Sequence, residues 1–411
     1  MRCWLALALA LLSARTARAQ AEDAEPSQTE AAAENGDAAP RDSRTPKKWT
    51  LRVRAQLRGE YNDNVFFLSP ASLARLRRVT DPPSRHAGMD SYRDWVVTPG
   101  LRGELRGPSP LGRRLSVSLG VTYAIYLQNR AKNFPELTLD VRQDIGKRGR
   151  VHLRVDEQLG YFYNNAIIGG EDLNGSGSID SAERLYAQII YNELVATGSY
   201  AHVLRKEGRA QPLAVELTGT VGYYRRSFRA PLAVRLENAP LGSAAIALAY
   251  RKLAHLELAY TYMRVFNTPH PEVVLLDENA WGIDFNEPPD GNTTDTHVST
   301  TQRVDRSYVM HRLGLGVSIT PWRRLEIGAE YDLRARSFTS SEPRDVAHFD
   351  RLDTRHVAAF SVGYRLSSRW RFELGYRYTI QSTRRTPAPG MSLQRTAYEI
   401  NRIFAELTAT L

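Results

Sequence analysis

Sulfur chemistry is almost missing from this chain: one residue of 411 is cysteine, Cys3. A single thiol excludes a disulfide framework and a cysteine metal site. Long apolar runs are missing as well, since nothing after Leu12 approaches the ~18 consecutive apolar residues of a membrane-spanning helix. Mean hydropathy is −0.42 even though 42% of residues are apolar. A chain of this kind can enter a bilayer only through strands, whose faces are half polar. Groupings for catalysis are scarce too. The nine histidines form no cluster with a Ser or Asp nucleophile at one rim, so no enzyme is expected.

What is present begins with a leader. Arg2 precedes the apolar run Trp4 to Leu12, and Ala17-Arg18-Ala19 supplies a small-x-small cleavage site, so residues 1–19 read as a secretory signal peptide. Cys3 lies inside it. Residues 20–46 are rich in Ala, Glu, Pro and Ser and carry seven acids against Arg41 and Arg44. Such a segment cannot bury enough apolar surface to offset its ordering entropy, and it reads as a disordered acidic periplasmic tail. The whole chain carries +10; the leader contributes three positive charges and the tail a net five negative ones, which leaves +12 on residues 47–411.

From Trp49 to Tyr61 the odd positions are Trp49, Leu51, Val53, Ala55, Leu57, Gly59 and Tyr61, and the even ones include Arg52, Arg54, Arg58 and Glu60. This is the period of a strand with one apolar and one polar face, longer than the ~9–11 residues that a tilted strand needs to cross a bilayer. The pattern recurs to the C-terminus, ending at Asn401 to Leu411. It predicts an all-β transmembrane antiparallel barrel over 47–411, with about 14 strands in a range of 12 to 18. Connections alternate between short and long. The short ones read as periplasmic turns and the long ones, above all Asn62–Arg93 and Asn267–Arg306, as extracellular loops. Trp49, Trp322 and Trp370 fall near the short-turn end, as an interfacial girdle would. A soluble β-sandwich, the alternative, has no reason to gather its short turns at one end. In the sixth strand the apolar register switches near Asn192, which predicts a bulge there.

Three features point to function. The lumen-facing register holds Arg52, Arg54, Arg58, Arg102, Arg154, Arg334, Arg371 and Arg377, opposed by Glu104, Glu326, Glu330 and Glu373, with further arginines and acids between them. The two signs nearly cancel, giving a hydrated mixed-charge wall without an apolar lining, suited to polar cargo and selecting weakly by charge. The short turns hold thirteen Arg and Lys, among them Arg113, Arg114, Lys147, Arg148, Arg323 and Arg324, against Glu207 alone. This basic ring could focus an anionic polymer or an acidic partner, or could anchor to anionic inner-leaflet headgroups. Third, the stretch from Asp172 to Glu183 matches the twelve-residue calcium loop of the EF-hand: Asp172, Asn174, Ser176, Asp180 and Glu183 at the oxygen-ligand positions, the Ser178 carbonyl at position 7, and Gly177 at the turn. Ser176 stands where an acid is usual, so calcium affinity should be low. The alternative is a polar Gly- and Ser-rich surface loop.

Gly59-Glu60-Tyr61-Asn62-Asp63-Asn64-Val65-Phe66 resembles the Tyr-x-Asp-Asn-Val-Phe stretch of β-barrel porins associated with exopolysaccharide export systems. The final strand, with Ile403, Ala405, Leu407, Ala409 and Leu411 on one face, is similar to the assembly signal of outer-membrane barrels, although Leu411 replaces the usual aromatic. The resemblance implies the bacterial outer membrane, with its lipid and lipopolysaccharide, as the location, and the barrel assembly machinery as a partner. It further implies a polysaccharide export channel served by a periplasmic polysaccharide export protein. A general diffusion porin and a plugged structural or adhesive barrel are the alternatives. No nucleic acid is expected as a partner.

Overall fold

The computed structural model describes residues 48–411 except 71, 75–86, 110–112, 171–183, 206–211, 231–235, 252, 268–269, 276–298, 342–347 and 386–395. The described strands are β1 (Thr50–Asn62), β2 (Asp94–Pro108), β3 (Arg114–Tyr126), β4 (Phe134–Ile145), β5 (Gly149–Gly170), β6 (Arg184–Arg205), β7 (Leu213–Phe228) and β8 (Leu236–Tyr250). They continue with β9 (Ala254–Asn267), β10 (His270–Leu275), β11 (Ser299–Val304), β12 (Tyr308–Trp322), β13 (Leu325–Phe338), β14 (Arg351–Arg365), β15 (Trp370–Arg385) and β16 (Thr396–Thr410). Fourteen of them close a barrel in chain order, β9 pairing with β12 and β16 returning antiparallel to β1. Strands β10 and β11 form a separate hairpin within the connection from β9 to β12, and β10 lies beside β5.

Closure follows from the backbone. A sheet in lipid has no water to satisfy its edges, and only a closed barrel removes them. The last seam runs from Arg54↔Thr410 to Asn62↔Arg402. Side chains then alternate as the pleat requires. On β1, Leu51 and Leu57 are 68% and 53% exposed while Arg58 between the walls is 8% exposed. The same inversion runs around the barrel: Leu101, Leu119, Leu153, Val221, Leu313, Leu374 and Ile403 point outward and open, while Arg102, Arg154, Arg312, Arg334 and Glu373 point in and are buried. So much exposed apolar surface is tolerable only in lipid. Trp49, Trp322 and Trp370 stand exposed at the short-turn end, and Trp95, Tyr123, Tyr223, Tyr262 and Phe266 toward the other. These are the two interfacial girdles of an outer-membrane barrel, which is where this protein resides.

Strand β8 starts at Leu236, where Asn238 and Pro240 continue its outward face. One expectation about a strand needs correction. The sixth strand does not switch faces: Tyr191, Glu193 and Val195 are all inward and buried, at 1%, 2% and 5%. The bulge lies opposite, on β5, where Leu159 and Gly160 face Asn192 alone between the pairs Gln158↔Glu193 and Tyr161↔Tyr191. Gly160 takes φ +68°, a left-handed conformation that glycine adopts without strain, and its N–H donates to Asn192 Oδ1 at 2.8 Å.

A closed hydrogen-bonded cylinder should resist detergent. Unboiled protein is expected to migrate ahead of boiled protein in a denaturing gel, with β circular dichroism until boiling. Identical migration with a helical spectrum would overturn the barrel.

Candidate functional site

The inside of the barrel is layered along its axis. Its middle is a lattice of paired charge. Asp332 Oδ1 accepts from Arg334 Nε at 2.7 Å and Asp332 Oδ2 accepts from Arg312 Nε. Arg312 and Arg334 are direct cross-strand neighbours, as are Arg334 and Arg355, and Arg377 and Arg402. Like charges so placed repel, and carboxylates and rings between them offset that. Glu60 sits between Arg58 and Arg402, the latter at 3.6 Å. Glu330 reaches Arg377 at 3.8 Å. Arg58 also lies 3.9 Å over the ring of Phe404, which covers Gly375 so closely that a Cβ there would meet it at 2.3 Å.

On the other wall Asp140 is the hub. It accepts from Arg142 at 3.0 Å and lies 2.6 Å from His152 Nε2, 3.4 Å from Arg102 and 3.7 Å from Arg154. Of the residues expected to line the lumen, Arg371 pairs with Glu326 at 3.3 Å and Glu373 at 2.9 Å. Glu104 pairs with Arg106, and Arg154 with Asp156. Arg52 and Arg54 stand at the periplasmic end, in a cleft shared with Arg102, Glu104, Arg106 and Arg142.

The outer third is different, and here the expectation of a lumen without apolar lining is corrected. Inward residues Val195, Tyr224, Ala239, Leu241, Met263, Val265, Tyr308 and Met310 form one buried cluster across β6, β7, β8, β9 and β12. A second joins Phe134, Tyr161 and Tyr191. Between them a buried ion cluster is embedded: Arg226 Nη2 donates to Glu193 at 2.9 Å and Nη1 to Glu237 at 3.1 Å, with the guanidinium 4.3 Å over Tyr191. The collar escaped sequence reading because an inward Tyr or Val has the same periodicity as an outward one; only the charge deeper in each strand tells the faces apart.

The segment after β1 closes this collar. Each residue of the Asn62-Asp63-Asn64-Val65-Phe66 stretch has a task. Asn62 Oδ1 accepts from the Asn64 N–H at 2.9 Å, turning the chain inward. Asp63 takes the backbone N–H and the side-chain amide of Asn401 on β16, at 2.7 and 2.8 Å. Asn64 Nδ2 donates to the carbonyls of Leu68 and Glu399, at 2.8 and 3.0 Å. Val65 and Phe66 are then 2% and 1% exposed. Phe66 meets Phe162 edge-on at 5.8 Å, and Phe67 stacks on Tyr163 of β5 at 5.7 Å while meeting Tyr398 of β16 at 5.3 Å. A residue that touches the inner faces of β5 and β16 at once lies across the mouth.

Lys132, in the turn between β3 and β4, fastens the far side. It is fully buried, its Nζ donating to the carbonyls of Phe162 and Tyr163 at 2.8 and 3.2 Å, and it lies 4.6 Å from the Phe66 ring and 4.8 Å from that of Tyr161. Burial pulls its pKa well below the ordinary lysine value of 10.5, with the Asp94 carboxylate pulling the other way. An amine and an ammonium can both donate to the two carbonyls, so the clamp survives either form.

The calcium-loop residues Asp172, Asn174, Ser176, Ser178, Asp180 and Glu183 lie outside the described residues. The flanking strands β5 and β6 are 22 residues each, about twice what a bilayer needs, so their paired outer ends reach well beyond it. Among the described residues no group of three or more His, Cys, Asp or Glu side chains could hold a metal.

No protein-family model matches this chain, and no curated protein matches it. Solved structures of similar architecture include an anion-selective porin from Comamonas acidovorans, 10% identical, covering 89% of this chain and 99% of that one, with a TM-score of 0.35. The outer membrane channel DcaP of Acinetobacter baumannii is 10% identical over 89% of this chain and 99% of its own, with a TM-score of 0.39. An outer membrane channel from Pseudomonas putida F1 is 9% identical over 91% and 100%, with a TM-score of 0.39. Likenesses this distant concern architecture alone.

Proposed function

We propose that this outer-membrane barrel is a channel for hydrated polar cargo, and that the cargo is a polysaccharide moving outward. The observation that carries the reading is the axial order of the lumen: an arginine-rich cleft at the periplasmic end, a self-neutralised charged middle, and an aromatic collar at the outer mouth. Paired charges on long side chains keep a wall wet without holding cargo by one sign. Flat aromatic faces suit the C–H faces of sugar rings. A segment folded across the exit would keep an exporter sealed between transfers. Deleting the gene should abolish polymer secretion and leave small-solute uptake unchanged. The reverse pattern would assign a diffusion porin.

The plugged-barrel reading is favoured by one observation, the near-complete burial of Val65 and Phe66, and conductance in planar bilayers separates it from the channel. A periplasmic polysaccharide export protein is the partner this reading requires, and the basic turns are where it would dock.

Calcium at Asp172–Glu183 is part of the proposal. Converging oxygens would tie the loop down, so protease cleavage within 164–184 should be slow in millimolar calcium and fast in chelator. Asp172→Ala with Glu183→Ala should make cleavage fast in both while leaving the barrel's gel migration intact. Equal cleavage of the parent in calcium and chelator would leave the motif an ordinary polar turn.

A further inference from the structure

We propose that the periplasmic end of the lumen holds a binding site for anionic saccharide units, carboxylate- or phosphate-bearing, centred on Arg52 and Arg54. The choice of a sugar rests on the export reading above; the choice of an anion rests on geometry.

Five arginines line this cleft, Arg52, Arg54, Arg102, Arg106 and Arg142, with Glu104 the one carboxylate among its lining residues. Three of the five are committed. Arg106 pairs with Glu104, whose Oε1 also accepts from Ser116 Oγ. Arg142 donates to Asp140 at 3.0 Å, and Arg102 donates to Ser118 Oγ at 2.8 Å and lies 3.4 Å from Asp140. Arg52 and Arg54 have no ion pair or hydrogen bond from their side chains among the described residues.

Register makes the excess unavoidable. Across the β1–β2 seam Arg54 faces Arg102 directly and Arg52 faces Glu104, and on its other side Arg54 faces Thr410. Where the same opposition of guanidiniums occurs deeper in the lumen, at Arg312 and Arg334, Asp332 bridges the two. Among the described residues no carboxylate bridges Arg54 and Arg102 in this way. Glu104 is already held by Arg106, and Asp140 reaches Arg102 from the side away from β1. The place that Asp332 fills elsewhere is left to an anion from outside, and a guanidinium fork takes a carboxylate or phosphate through two parallel bonds. A neutral sugar offers nothing of that strength. Lying at the entrance for periplasmic cargo and backed by the basic turns, the cleft would gather anionic units before they meet the balanced wall beyond.

The test is binding to the detergent-purified full chain, with oligogalacturonate, a neutral maltooligosaccharide and inorganic phosphate as probes. Oligogalacturonate should bind saturably, weaken as ionic strength rises, and lose about tenfold or more in affinity in the Arg52→Gln/Arg54→Gln variant. The neutral oligomer should not bind the cleft. Removing two cations that have no side-chain partner among the described residues should leave heat-modifiable migration unchanged, and the salt dependence of the parent tests the site without any variant. Equal affinity in parent and folded variant would overturn the proposal, as would equal binding of the neutral oligomer. Phosphate that saturates the cleft without competition from oligogalacturonate would overturn it in favour of a small free anion. Normal secretion from a deletion strain would sink the export reading and leave an anion-binding result standing; lost anion binding with secretion still dependent on the chain would sink the site alone.

Discussion

Channels carrying Phe66→Ser together with Phe67→Ser should conduct about tenfold or more current than the parent in planar bilayers, on the expectation that an apolar constriction blocks ions by excluding water. The reason is where those rings sit. Phe66 is buried against Phe162, and Phe67 bridges Tyr163 on β5 and Tyr398 on β16, so the two rings lie between the inner faces of those strands. Asn62, Asp63 and Asn64 hold the backbone in place whatever follows them, so the double serine variant should keep the segment's path while admitting water to it. Lys132→Met should act in the same direction with smaller effect. It keeps an apolar stem but removes the donor to the carbonyls of Phe162 and Tyr163, at a cost of about 1–3 kcal/mol for the buried Phe162 bond before relaxation. The parent should show small or rare openings. If the double variant and the parent conduct equally, the constriction lies elsewhere, and if both are silent, the barrel is plugged throughout.

The barrel was readable from the sequence because its deciding signal is local. A strand of 13 residues such as β1 shows both faces at once, and the alternation of short and long connections sets its orientation. The alternation of side chains along each strand puts Arg58, Arg334 and Arg377 on the polar register, beside Leu57, Leu333 and Tyr376 on the apolar one. The outer mouth was not readable, because its two faces are chemically alike. Tyr223 and Tyr224 are adjacent tyrosines, one 43% exposed and the other fully buried, and periodicity cannot say which is which. Glu193 stands between Tyr191 and Val195 on one register, and only the fold brings Arg226 from β7 and Glu237 from β8 to it. The motif ending in Val65-Phe66 was visible as a resemblance but not as a closure, since Asn401, Tyr163 and Lys132, the residues that receive it, lie tens to hundreds of positions away.

Arg226→Met should lower the stability of the folded barrel by about 3–5 kcal/mol, read as a fall in the urea midpoint of protein refolded into lipid vesicles. Arg226 is 2% exposed and holds two carboxylates that are themselves buried, Glu193 at 2% and Glu237 at 6%. Its removal leaves both acids inside an aromatic collar with no counter-charge, and stranded charge is costlier than the lost pair was favourable. The proof is in the compensated variant. Arg226→Met with Glu193→Leu and Glu237→Leu removes every charge of the cluster and should recover most of the loss, because apolar side chains of similar size suit the neighbouring Tyr191, Val195 and Tyr224. Recovery should fall short by about 1 kcal/mol, since the Tyr224 hydroxyl, which donates to Glu193 Oε2 at 3.3 Å, is left without its acceptor. A triple variant as unstable as the single one would mean that the arginine matters through its packing against the Tyr191 ring at 4.3 Å, and not through the charges it balances. A single variant with an unchanged midpoint would mean that water reaches the cluster, and the collar would then be open where its burial shows it closed.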